Sequence, residues 1–209
     1  GESGLVEFEK VAKAGGIEIL TVQKFEPADT NMTAQLTKVK SLNPGAVVIW
    51  ATPPSASNVT KGFRQLGLTM PLIHSHGIGN QTFIEQAGES ANGVIFPIGK
   101  LVVAEDLPDN DPQKDVVTKY AKDYEEKFKL PRSTFGGYAW DAMELILAAL
   151  EKSGDNPTSA QLRDEIEKIK DFKGISGVFN FSVQDHNGLV DKDMVMVEIS
   201  EGKWKLLEN

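Results

Sequence analysis

The sequence predicts an α/β protein, a doubly wound parallel sheet with helices on both faces. Three short, unbroken apolar runs carry that prediction: AVVIWAT at 46–52, PLIHS at 71–75 and GVIFP at 93–97. Each follows a stretch with helical spacing and ends in small, polar or proline residues. Unbroken apolar strands alternating with helices mark a parallel sheet buried on both faces. The connections are short, about two to six residues, which is the rhythm of successive βα units. Ligands of such sheets bind beyond the carboxyl ends of the strands, so residues 52–55 and 75–80 are the first places to look.

Taken in order, residues 3–14 form an amphipathic helix with Leu5, Phe8 and Ala12 on one face and Gly15 and Gly16 as its stop. Residues 17–25 alternate as a strand. Residues 31–42 are a second helix, with Met32, Leu36 and Val39 at helical spacing and Asn43-Pro44-Gly45 closing it. A strand at 46–51, a helix at 57–67, the strand at 71–75 and a short helix at 81–87 lead into the strand at 93–97. The pattern changes at Gly99. Residues 99–112 read as a long loop carrying Glu105, Asp106, Asp109 and Asp111, with Asp111 as the cap before Pro112 at a first helical position.

Val117, Tyr120, Tyr124 and Phe128 stripe one face of a helix at 113–129. The next helix, 137–153, is apolar nearly all round, which predicts deep burial. Thr158 and Gln161 form a capping box for a third helix that turns Leu162, Ile166 and Ile169 inward. Residues 174–181 read as a strand, 185–188 as a turn, and 194–199 with 203–206 as a hairpin about Glu201-Gly202. The middle of the chain thus offers three helices and almost no strand of its own, and helices of this kind need a sheet to cover.

The bulk properties narrow the function. Two hundred and nine residues suit one large domain or two small ones. A net charge of −8 argues against a nucleic-acid partner, which would need a basic footprint, and against adhesion to anionic lipid. The absence of cysteine excludes disulfides and thiolate metal sites. No apolar run approaches the roughly 20 residues of a membrane helix; the longest, 139–150, is broken by Asp141 and Glu144. Gly1 opens directly into a helix start with no strand before it, so the sequence reads as a fragment whose first units lie upstream.

Several segments, none specific alone, resemble one family through their order and spacing: Gly1-Glu2-Ser3-Gly4 opening a helix, Phe63-Arg64-Gln65-Leu66-Gly67-Leu68 before a strand, and Ser75-His76-Gly77-Ile78. Ala91-Asn92-Gly93-Val94-Ile95, Gly137-Tyr138-Ala139-Trp140-Asp141-Ala142, and the Gly188 turn with the hairpin after it complete the set. The chain resembles the type I periplasmic binding proteins, specifically the branched-chain amino-acid-type substrate-binding components of ABC transporters. The resemblance implies two flavodoxin-like lobes, here incomplete. Residues 1–96 with 185–209 would belong to the second lobe and 97–184 to the C-terminal part of the first. It also implies a periplasmic or lipid-anchored extracellular protein. Such a protein closes by a hinge around a small carboxylate-bearing ligand, presents it to a membrane permease and needs no cofactor. The loops that usually grip the ligand carboxylate would lie upstream.

Candidate ligand residues follow from the strand ends and from the resemblance. Thr52 and Pro53 end the first parallel strand and either line the cleft or form a plain strand-to-helix turn. Ser75, His76 and Gly77 match the loop where amino-acid-binding members present an acidic residue to the ligand ammonium. An imidazole there fits an acceptor or an anion, which tilts the expected ligand toward acids without an α-amino group, aromatic acids among them. Phe135 and Tyr138 fall at the first-lobe side of the cleft in the family pattern, as ligand-stacking aromatics or as core. Lys100 near the crossing reads as solvated, Trp50 as core, and Asp109–Asp111 as acidic surface. His74 and His76 form an H-x-H pair, but His186 is the only other histidine and no metal site is expected. Asn31, Asn58 and Asn80 match a glycosylation triplet by chance. With no G-x-G-x-x-G, P-loop or G-x-S-x-G, no enzyme is expected. Binding of a branched-chain or other amino acid by the same mechanism, a sensory domain, an enzyme on the same sheet, or an oligomer that swaps helices 113–170 are the alternatives.

Overall fold

The computed structural model describes residues 1–207 and divides into two compact units. The first comprises Gly1–Pro97 and Val197–Lys205; the second comprises Ile98–Met196 with Leu206 and Leu207.

The first unit is built on the expected parallel sheet. It holds β1 (Val47–Ile49), β2 (Leu72–His74) and most of β3 (Val94–Gly99), β6 (Met194–Ser200) and β7 (Lys203–Leu206), and the strands lie in the order β1-β2-β3-β6-β7. Val47 pairs with Leu72, Ile49 with His74, and Leu72 in turn with Val94, all in parallel register. The hairpin between β6 and β7 turns at Glu201 (φ 51°) and Gly202 (φ 72°), two left-handed residues as a tight two-residue turn requires. Helices α1 (Glu2–Ala14), α2 (Thr33–Leu42), α3 (Ser55–Gln65) and α4 (Gln81–Ala87) accompany the sheet. Ala56, Val59 and Phe63 bury the apolar stripe of α3, and a methyl group at Gly62 would fall 2.9 Å from Leu36, so α2 and α3 pack closely there. The Asn80 side chain accepts the Phe83 N–H at 3.1 Å and starts α4.

Two expectations for this unit change. Residues 17–25 join no ladder. An alternating strand needs a neighbour to receive its apolar face, and Ile17, Leu20 and Val22 remain 61, 45 and 43% exposed. For the same reason β1, at the edge of the sheet, leaves Val48 exposed, and Trp50 just beyond it is surface rather than core.

The second unit holds α5 (Lys114–Phe128), α6 (Thr134–Ser153), α7 (Ser159–Ile166) and a ladder of two residues per strand, β4 (Phe172–Lys173) with β5 (Val178–Phe179). The expected strand 174–181 shrinks to β5. The predicted loop after Gly99 is instead wound into 3₁₀ turns over Lys100–Asp106, with Leu101 to Ala104 buried. α5 begins at Lys114 with Gln113 as its N-cap, so Asp111 does not cap it as expected; Asp111 accepts the Gln113 N–H at 2.9 Å in the turn before the helix. α6 is not buried all round. It buries Gly137, Asp141, Leu145 and Ala149, one stripe at four-residue spacing, while Trp140, Met143, Leu147 and Leu150 stay exposed. Apolar composition makes a helix ready for burial, but only a neighbouring layer buries it, and the one sheet in this unit is two residues long. Leu145, Ile169, Phe179 and Phe181 form the core cluster there, with the last two rings stacked at 5.5 Å. The capping box at Thr158 and Gln161 forms as read, though α7 fully buries none of its residues.

Candidate functional site

At the carboxyl end of the parallel sheet, two loops come within contact. After β1 the chain runs through Thr52 and Pro53, joined to Pro54 by a cis peptide bond, into α3. The Thr52 carbonyl accepts the Ala56 N–H at 3.0 Å and the Ser55 hydroxyl at 3.1 Å, which ties the strand end to the first helical turn. After β2 the Ser75 N–H donates to the Ile49 carbonyl at 2.9 Å and extends the parallel ladder by one bond. His76–Ile78 then make one 3₁₀ turn.

Gly77 is the point of contact. A methyl group there would lie 3.0 Å from both the Ala51 carbonyl and the Thr52 methyl, and 3.5 Å from Ser75 Oγ. A side chain there would make the first loop give by a few tenths of an ångström, so glycine suits this close approach. Thr52, Pro53, Ser75, His76 and Gly77 therefore sit together at one sheet end. Thr52 and His76 are exposed, while Ser75 and Gly77 are buried beneath them.

The two histidines of the H-x-H pair have different surroundings. His74 is fully buried, its ring tilted against Phe83 at 5.3 Å. The Thr60 hydroxyl gives its proton to the Ala56 carbonyl, so it must accept from His74 Nε2, 3.0 Å away. Burial pulls the His74 pKa down to about 3, and the ring is neutral. His76 is exposed. Among the described residues no three histidine, cysteine or carboxylate side chains group as a metal would need.

The aromatic candidates belong to the second unit. Phe135 is about half exposed and Tyr138 half-buried, one turn apart at the start of α6, with rings edge to face at 6.1 Å. Burial raises the Tyr138 phenol. Asp141, one turn further and 3% exposed, accepts the N–H groups of Ile175 at 2.6 Å and Ser176 at 2.8 Å. Burial pushes its carboxyl up against the pull of those bonds. Lys100 is not solvated: its ammonium meets Asp111 Oδ2 at 2.8 Å with both side chains nearly buried. Asp111 is accordingly ion-paired in the turn before α5 rather than acidic surface.

Trp50, expected in the core, is 47% exposed beside these loops. Its ring stands perpendicular to His76, centroids 6.5 Å apart, and is backed by α1, where a methyl at Gly4 would fall 2.5 Å from the indole. The available signal was the pairing of a glycine in the first turn of a helix with a tryptophan at a strand exit.

A family model described as periplasmic binding protein matches residues 1–203. The chain belongs to the periplasmic binding protein family. Within that family it sides with the type I, branched-chain amino-acid type. It is 23% identical over 175 residues to a Leu/Ile/Val-binding protein homolog of Brucella melitensis, covering 84% of this chain and 45% of that one. An extracellular ligand-binding receptor from Rhodopseudomonas palustris superposes with a TM-score of 0.90 at 25% identity, over 98% of this chain and 59% of the other. A branched-chain amino acid transporter substrate-binding protein from Streptococcus pneumoniae, solved in complex with isoleucine, gives a TM-score of 0.75 at 25% identity, over 95% and 56%. This periplasmic binding protein chain spans less than half the length of its curated relative.

Proposed function

We propose that this chain is part of the extracytoplasmic solute-binding component of an ABC importer and contributes to a site for an aliphatic amino acid. The observation that carries the reading is the meeting of Thr52, Ser75, His76 and Gly77 at the carboxyl ends of β1 and β2. Such a group offers hydroxyls and an imidazole, with no base–nucleophile pair, and suits binding rather than chemistry. The printed names of the Brucella and Streptococcus proteins, a Leu/Ile/Val-binding homolog and an isoleucine complex, support an aliphatic amino acid. Neither name supports an aromatic acid, and the tilt toward such ligands drawn from His76 is set aside. Among the described residues no helix is long and apolar enough to cross a membrane.

The proposal extends to the rest of the family pattern. Residues 1–96 with 185–209 are assigned to the second lobe and 97–184 to the first, with Phe135 and Tyr138 as the first lobe's aromatic contribution. Ligand favours the closed form because only that form lets both lobes touch it, and a membrane permease then receives the closed protein. The protein works in the periplasm or anchored outside the cell.

Native mass spectrometry of the full-length polypeptide, followed by thermal titration with leucine, isoleucine, valine and benzoate, tests this. A bound amino-acid adduct and saturable stabilisation by the aliphatic amino acids are expected; a ligand at one hundred times its Kd adds about 2.7 kcal/mol. Stabilisation by benzoate alone, or by none of the four, overturns the reading.

A further inference from the structure

We infer that Trp50 is a specificity-determining residue of this site, the apolar wall against which the ligand's aliphatic side chain packs. The inference rests on the amino-acid reading above and adds to it Trp50, the first residue after β1.

Three observations carry it. Trp50, just beyond the edge strand β1, is 47% exposed and so offers a free ring face. Its indole is nonetheless held: Gly4 of α1 lies against it so closely that even a methyl there would collide with three ring atoms, at 2.5, 2.7 and 2.9 Å. The ring also stands at 89° to exposed His76 and leaves the strand two residues before Thr52, so it borders the same two loops.

A rigid aromatic surface fixed from behind and open in front presents apolar area with little side-chain freedom left to lose on binding. Beside it in the same two loops stand the His76 imidazole and, two residues along the chain, exposed Thr52. Together they make a surface with one apolar wall and one hydrogen-bonding edge, which matches an amino acid that carries a hydrocarbon side chain on a charged head. The polar edge meets the head, common to all amino acids, and the indole meets the part that differs among them. Trp50 thus sets preference among amino acids rather than binding as such.

The test compares leucine with alanine by calorimetry on the full-length polypeptide and its Trp50→Ala and Trp50→Phe variants. Trp50→Ala should weaken leucine on the order of tenfold or more and alanine no more than about twofold, collapsing the preference; Trp50→Phe should restore much of it. A leucine affinity unchanged in Trp50→Ala overturns the inference. Equal losses for leucine and alanine also overturn it, since they mark a residue that only supports the fold. If the unsubstituted protein binds neither amino acid, the parent reading fails, and this inference with it. If it binds leucine and the variants keep the preference, only the inference fails.

Discussion

His74 and Asp141 show burial acting on titratable groups in opposite senses. His74 binds no proton until about pH 3 in the native state, whereas an unfolded histidine does so near 6.5. The unfolded state therefore holds more protons between those values. Native stability from this group is complete above pH 6.5 and falls by about 1.4 kcal/mol per pH unit as acid is added through that window. Asp141, with its carboxyl raised by burial, has the reverse sign: its contribution is full below the ordinary carboxylate range and is lost as pH rises through its native value. Denaturant titrations of the protein and of His74→Gln between pH 7 and 4 should show a steeper acid loss in the unsubstituted chain; parallel curves would refute the assignment. At neutral pH, Asp141→Asn places an amide donor against one of the two N–H groups it now accepts, from Ile175 or Ser176. A loss of about 1–3 kcal/mol in chemical denaturation is expected. None of this was visible in the sequence. His74 and His76 are the same residue type two positions apart, and only the end of β2 between them decides which one is buried.

Among the elements, α6 separates composition from environment. Leu145 and Leu147 lie two residues apart on the same helix, 9% and 48% exposed. Leu145→Ala should cost about 2–4 kcal/mol as a core truncation, and Leu147→Ala less than about 0.5 kcal/mol; melting curves of the two variants decide it. The parallel strands, the helix at 31–42 and the Thr158 capping box were legible because their signals are local: unbroken apolar runs, helical spacing, and a side chain reaching three residues along. The strand at 17–25 and the all-round burial of α6 were not, because each depends on a neighbour the local pattern cannot supply. The site divides the same way. The rule that ligands bind at strand ends leads to Thr52 and to Ser75–Gly77 from the sequence alone. The Lys100–Asp111 pair spans eleven residues of irregular chain, and the support of Trp50 by Gly4 spans forty-six, so neither could be read from spacing.

At the scale of the whole molecule, the first unit is organised by a sheet with helices and the second by helices, with a cluster around Leu145 and Phe179. Native-state hydrogen exchange should reflect this. The amides of β2, bonded into the sheet with strands on both sides, should exchange most slowly in the first unit, and residues 18–26, outside any ladder, close to the unprotected rate. Slow exchange across 18–26 would contradict the unpaired segment described above.

The fit between Gly4 and Trp50 also leaves a trace in evolution. Where position 50 holds a large ring, any side chain at position 4 would have to displace it, so substitution at 4 is blocked until 50 has become small. Homologous sequences aligned on this chain should show the two positions drifting together: glycine at 4 kept wherever an aromatic occupies 50, and free variation at 4 in lineages where 50 has become small. Independent drift at the two positions would mean that the backbone of α1 shifts readily enough to make room.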